Sequence, residues 1–268
     1  MHHPSQFNYP MLKQLIFNFK SDITSLDFPT ELNNPFGLDP PEIAKAAAIE
    51  FQDFIALEAP QWKYDFRTRP GKMFGVLVVR QKDGKLGYLG TVSGKLPGNE
   101  DYDRFVPSIF DESLDDYFLT KGLTEVTAIG KQIITATSKE DVSALTKQRS
   151  QLSKSLQKRL FESYNFLNLS GEIKNVLSIF EEASAGKPSA ATGECAAPKL
   201  LNSAIKHHLQ PIAIAEFWWG NSLNTDNRQH KDFYPACKSK CKPILEYMLE
   251  NDSLYTSVKR SSQLGKYI

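Results

Sequence analysis

The chain has 268 residues, 41% of them hydrophobic, and its 32 basic and 31 acidic side chains leave a net charge of +1. That length suffices for one large or two small buried cores, and the balanced charge excludes a global field that would select nucleic acid or membrane surfaces. Three cysteines are odd in number and too few for a disulfide scaffold, which points to a reducing compartment. No apolar run approaches the ~20 residues of a membrane span. Lys13, Lys20 and Asp22 also break up the short apolar pieces from which a signal peptide would be built. A soluble cytoplasmic protein, not held to a membrane, is the expectation.

Residues 1–110 read as an N-terminal helix followed by a β-hairpin. Asp39-Pro40-Pro41-Glu42 gives a helix start with Asp39 as the cap. Ile43, Ala46, Ala47, Phe51, Phe54 and Ile55 follow at helical spacing until Pro60 ends the helix. The β-branched apolar run 74–80 predicts a buried strand, and the Asp83-Gly84 turn returns the chain into a second strand over 86–92. Gly94, Pro97, Gly98 and Pro107 mark an irregular segment after it.

Residues 111–180 read as a long helical, coiled-coil-like insertion. Ser138 and Asp141 resemble a capping box, and Val142, Leu145, Leu152, Leu156 and Leu160 form an apolar stripe suited to packing on the core or on a second copy of the chain. Residues 181–190 are a small-residue connector expected to be flexible. Residues 190–250 hold the rest of an α/β core: a helix at Cys195, a strand over 211–217, a polar loop over 220–232 and a helix from about 236 to 250. A tail runs from 251 to 268. The order of elements suggests an α/β fold, a sandwich of helices and sheet.

All the cysteines fall in that third part. Cys237 and Cys241 stand four apart, so on a helix their thiols share a face. Cys195 comes from a separate helix, and thiolates converging from separate segments are what a soft divalent cation such as zinc requires. His230 is the nearby candidate for a fourth ligand. The spacing differs from the usual Cys-x-x-Cys pairs of structural zinc sites. Around these residues Trp218 and Trp219 are candidate base-stacking platforms, and Arg228, Lys231, Lys238, Lys240 and Lys242 form a local basic cluster suited to phosphates.

Several strings resemble a known region. They are Gly71-Lys72-Met73-Phe74-Gly75-Val76-Leu77-Val78-Val79, Leu86-Gly87-Tyr88-Leu89, Ser93-Gly94-Lys95-Leu96, Phe105-Val106-Pro107-Ser108-Ile109-Phe110-Asp111, Gly193-Glu194-Cys195-Ala196-Ala197-Pro198-Lys199-Leu200-Leu201, Ala215-Glu216-Phe217-Trp218-Trp219-Gly220, and the stretch from Tyr234 to Leu245. In this order, over roughly residues 35–250, they resemble the N-terminal accessory region of large bacterial RluA-type RNA pseudouridine synthases. The resemblance implies association with RNA modification. Partners would be structured RNA, ribosomal or transfer, or a separate pseudouridine synthase. The His-Arg-Leu-Asp type motif that carries the family's catalytic aspartate is absent, since the histidines are His2, His3, His207, His208 and His230. No isomerase activity of its own is therefore expected of this chain.

A weaker similarity is to the zinc cytidine-deaminase fold, in which a hairpin, a ligand-bearing helix, a strand and a two-cysteine helix build a hydrolytic site. There a glutamate two residues after the first ligand moves protons. Here that position is Ala197, the cysteine pair is one residue too far apart, and Glu194 is the nearest carboxylate in sequence. Two functions of different class stay open: a non-catalytic RNA-binding module with a structural metal, and a zinc hydrolase with an open fourth position beside Glu194. A truncated or degenerate product without an independent role is a third.

Overall fold

The computed structural model describes residues 12–96, 104–109, 112–222 and 227–250; residues 1–11, the tail 251–268, and Pro97 and Gly98 lie outside the described residues. In chain order the elements are α1 (Leu12–Leu15), α2 (Glu42–Glu58), β1 (Lys72–Arg80), β2 (Leu86–Val92), α3 (Glu112–Thr135), α4 (Lys139–Glu162), β3 (Asn165–Leu167), β4 (Ile173–Asn175), α5 (Val176–Glu182), α6 (Ala196–Lys206), β5 (Gln210–Trp219), β6 (Phe233–Tyr234) and α7 (Lys238–Met248). The fold is mixed helix and sheet, as the α/β expectation requires.

The main sheet has the order β2-β1-β5-β6, and each neighbouring pair is antiparallel. Because successive side chains of a strand point to opposite faces, the apolar runs of β1 and β5 feed two cores at once. Phe74, Val76 and Val78 join Phe217 and Trp219 beneath α2, whereas Leu77 and Val79 join Leu89 and Ile214 beneath α5, α6 and α7. A bulge where Val78 pairs with Ala213 but Val79 with Pro211 inserts Ile212, so Ile212 and Ala213 both serve the α2 core. Alanines 44, 47 and 48 let α2 approach closely, and the Phe51 ring then meets Phe17, Phe74, Phe105 and Phe217 at centroid distances of 5.4, 6.3, 5.4 and 6.3 Å.

Exposed sheet edges are satisfied locally. Phe17 exchanges two backbone hydrogen bonds with Tyr88 on the outer side of β2, at 2.8 and 2.9 Å. On β5, beyond the reach of the two-residue β6, the Asn33 side chain accepts from the Ile214 amide at 2.7 Å and donates to its carbonyl at 3.1 Å. An amide side chain thus does the work of a missing strand.

Several local expectations meet a different structure. Asp39 does not cap α2: Pro41 occupies the N-cap position without a side-chain bond, and the Asp39 carboxylate instead pairs with Lys45 at 2.7 Å. The prolines leave fewer amides to satisfy at this helix start, so a cap is less needed. Ser138 does cap α4, accepting from the Asp141 amide at 3.0 Å. The stretch 111–180 is not wholly helical, because its last part holds the β3–β4 hairpin and the start of α5. Three-residue strands carry too short an alternation to be read from sequence. Residues 181–190 are exposed except for buried Pro188, and Lys240 Nζ donates to the Ala190 carbonyl at 3.1 Å. Among the described residues, no helix is long and apolar enough to cross a membrane.

Candidate metal centre

The first turns of α6 and α7 meet on one face of the sheet. Cys195 occupies the N-cap position of α6, Cys237 that of α7, and Cys241 stands one turn further along α7. Their three sulfur atoms all lie within 4.8 Å of one another. Cys195 and Cys237 are half-buried and Cys241 is buried.

An N-cap side chain ordinarily accepts from an amide of its own first turn. The Cys195 thiol makes no such bond, and two strands supply the cap in its place. The Ala196 amide donates to Ser93 Oγ at 3.1 Å, beyond the end of β2, and the Ala197 amide donates to Glu216 Oε1 at 2.8 Å, from β5. Gly193, at φ +92°, turns the chain into the helix; this left-handed conformation suits a glycine. Cys195 is thereby held at the cap with its sulfur free to face Cys237 and Cys241.

The thiols titrate as a group. Cys237 is held far below the ordinary thiol range because the Cys195 and Cys241 thiols donate to it, with help from Ser239 and the Lys240 amide. Cys195 is pushed up to about 12 by its bond to Cys237, and Cys241 is raised by bonding to Cys195 and Cys237 and by burial. The N-cap position of Cys237 acts in the same direction, because the dipole of α7 favours negative charge there. Binding a cation would release the thiol protons.

Two buried ionisable residues flank the thiols. Lys199, 3% exposed, donates to the carbonyls of Val92 at 2.8 Å and Gly94 at 3.3 Å. Burial lowers it to about 8, opposed by the charges of Glu194 and Cys195. Its ammonium is thus placed to offset the charge of a metal–thiolate group. Glu216 is raised to about 7 by burial, against the pull of the Ala197 amide. It borders a cavity of ≈10 Å³, which Asn33, Asn34 and Tyr234 also line. That is room for about one water molecule and for no organic substrate.

Not every residue singled out in the sequence reaches this centre. His230 is a correction: the group of converging ligand atoms consists of the three thiols. The His230 ring packs 4.4 Å from that of Trp219, and its Nδ1 accepts from the Gly220 amide at 2.9 Å. Trp219 belongs to the α2 core, so strand alternation puts His230 across the sheet from the thiols. Glu194 is not among those ligand atoms either; its Oε1 accepts from the Tyr164 hydroxyl at 2.9 Å, and its buried Oε2 has no partner among the described residues.

The aromatic and basic residues also divide. Both indoles are 7% exposed and therefore mostly core. Arg228 lies over Trp218 at 4.9 Å, whereas Lys231 lies over Trp219 at 5.6 Å on the other face. On α7, Lys242 approaches Glu246 at 4.0 Å, Lys240 holds the Ala190 carbonyl, and Lys238 is exposed. The seven residues thus form two groups and a solvated helix start, not one surface. Sequence reasoning passed over Glu216 and Lys199, although a charged residue inside a buried strand or an apolar helix face is itself a signal. It also passed over Trp62, Tyr64 and Arg67, which with Trp219, His230 and Lys231 line a cleft of ≈780 Å³ on the α2 side.

Compared with known proteins, the chain matches no family model, no curated protein and no solved structure, so the chemistry of this centre rests on its own residues.

Proposed function

We propose that this chain is a metal-stabilised RNA-binding module that accompanies RNA modification and has no isomerase activity of its own. One observation carries the reading: the three thiols converge at the starts of α6 and α7, while the ligand-sized cleft lies on the α2 side of the sheet and is lined by none of them. A metal so placed joins the starts of α6 and α7, and stabilises the face of the sheet opposite the cleft. Three thiolates and a nearby ammonium suit zinc best among common divalent cations. The RNA part of the proposal draws on the accessory-region resemblance and on the cations set over Trp218 and Trp219. A structured ribosomal or transfer RNA, or a pseudouridine synthase acting on it in the cytoplasm, is the partner; α3 and α4 offer a surface for a second copy.

The test measures metal per chain and RNA binding on the same purified protein. One zinc per chain, lost in Cys195→Ser and kept in His230→Ala, together with salt-sensitive RNA binding, would support the proposal. Full RNA binding and unchanged stability after metal removal would count against a structural metal.

A second reading, a zinc-dependent deaminase-type hydrolase, is favoured by one observation: three protein ligands converge without a fourth among the described residues, the arrangement of catalytic zinc sites with a water position. The order helix, hairpin, ligand helix, strand, two-cysteine helix accords with a deaminase-like fold. Glu216, reaching the Ala197 amide from β5, would supply the carboxylate. The water-sized cavity weighs against it, and turnover of free nucleosides or RNA by the zinc-loaded protein would establish it.

A further inference from the structure

The cleft on the α2 side of the sheet has the composition of a nucleotide site. Its ≈780 Å³ falls within the ~300–1,000 Å³ range of small-ligand pockets. Trp219 forms the floor. Half-buried Trp62, braced by Phe66 at 6.2 Å and Phe105 at 5.7 Å, and exposed His230 offer ring surface. Ala59 and Pro60, just past the end of α2, close the apolar side.

Charge at the rim is complementary to phosphate. Arg67 and Lys231 are exposed and border the cleft, and Arg69 lies 5.5 Å over the Tyr64 ring beside it. Asp65 is the acidic residue lining the cleft, and its carboxylate is turned into its own loop. Oδ1 accepts from the Arg67 amide and Oδ2 from the Thr68 hydroxyl, each at 2.9 Å. The Lys231 segment is fixed in place, since its amide donates to the Trp218 carbonyl at 2.6 Å and its carbonyl accepts from Gln52 Nε2 at 3.2 Å. Flat ring surface with cations at its rim matches a base with its flanking phosphates.

We infer that this cleft takes one unpaired nucleotide of single-stranded RNA, the base stacked on Trp62 and His230 and the adjoining phosphates on Arg67 and Lys231. The inference rests on the RNA-binding reading above and makes it specific: the base must be splayed out of a helix, because paired bases do not present their faces. The site lies across the sheet from the thiols and needs no chemistry from them.

The experiment titrates the purified full chain with a single-stranded RNA oligomer, a duplex of the same sequence, and adenosine monophosphate. Binding is followed by anisotropy and by tryptophan fluorescence, which reports on this region because two of the three tryptophans line the cleft. The expected result is quenching by the single strand, weaker binding of the duplex, and at least ~10-fold weaker binding by Trp62→Ala. Arg67→Gln and Lys231→Gln change exposed side chains, so they keep the test valid if Trp62→Ala misfolds; each should lower the slope of log affinity against log salt by ~0.7. RNA binding of equal affinity and slope in all three variants would overturn the cleft while leaving the RNA reading intact. No RNA binding by the unaltered chain at low salt would overturn both. Equal affinity for the mononucleotide and the oligomer would overturn RNA as the occupant in favour of a free nucleotide.

Discussion

The amide of Ala197 and the carboxylate of Glu216 meet at 2.8 Å, and through this bond β5 caps the helix at whose N-cap position Cys195 stands. The cysteine cluster and the sheet are therefore one construction. Glu216→Ala should destabilise the protein by ~1–2 kcal/mol, the usual cost of a lost cap, and weaken metal binding by loosening the Cys195 turn. Glu216→Gln, which keeps an acceptor, should restore the metal affinity. Urea unfolding and competition with a chelator measure the two effects, and equal metal affinity in all three proteins would refute the link.

The same carboxylate imposes a pH dependence on the metal-free protein. Glu216 rises from an ordinary 4.5 to about 7 on folding, so between those values the folded chain keeps a proton that the unfolded chain has lost. Its stabilising contribution is complete below pH ~4.5 and disappears as pH rises through 7, with an upper size of roughly 3 kcal/mol. Unfolding free energies measured across this range should fall less steeply in Glu216→Gln. Parallel curves for the two proteins would show that Glu216 does not titrate there.

Thiol reactivity should follow a fixed order. Cys237 combines thiolate character with partial exposure and should alkylate first, followed by Cys195, with buried Cys241 last. Zinc should protect all three together. Peptide mapping after brief alkylation, with and without the metal, reads both effects, and protection of Cys237 alone would break the three-ligand site.

Tyr164 and Glu194 form a buried pair that can be tested by a double-mutant cycle. Tyr164→Phe removes the hydroxyl from a carboxylate whose other oxygen has no partner among the described residues, and should cost ~1–3 kcal/mol. In a Glu194→Gln background the same substitution should cost less, since the charge is gone. Additive effects would mean the hydroxyl does not stabilise that carboxylate.

Gly71 holds the end of the sheet together. A Cβ there would stand 2.6 Å from both the Trp218 indole and the Trp219 carbonyl, and the Gly71 amide donates to the Asn221 carbonyl at 2.7 Å. Gly71→Ala should lower stability by ~1–3 kcal/mol through overpacking against the Trp218 indole and the Trp219 backbone. Urea unfolding measures the effect, and unchanged stability would show that the Trp218 ring can shift to make room.

What the sequence determined by itself was local. The β-branched run with its Asp83-Gly84 turn specified the hairpin, the 3.6-residue spacing of Ile43 to Ile55 specified α2, and Ser138 marked the start of α4, because each signal acts between neighbours in the chain. The cysteine spacing likewise implied that Cys237 and Cys241 share a helix face. Tertiary structure decided the rest. Strand alternation sends adjacent Trp218 and Trp219 to opposite faces of the sheet, and with them Arg228 and Lys231, so a cluster contiguous in sequence is divided in space. His230 follows Trp219 away from the thiols for the same reason. The two groups that complete the Cys195 turn, Ser93 and Glu216, lie 103 and 19 residues from the amides they accept from; only the packing of β2, β5 and α6 brings them there, and no local pattern encodes it.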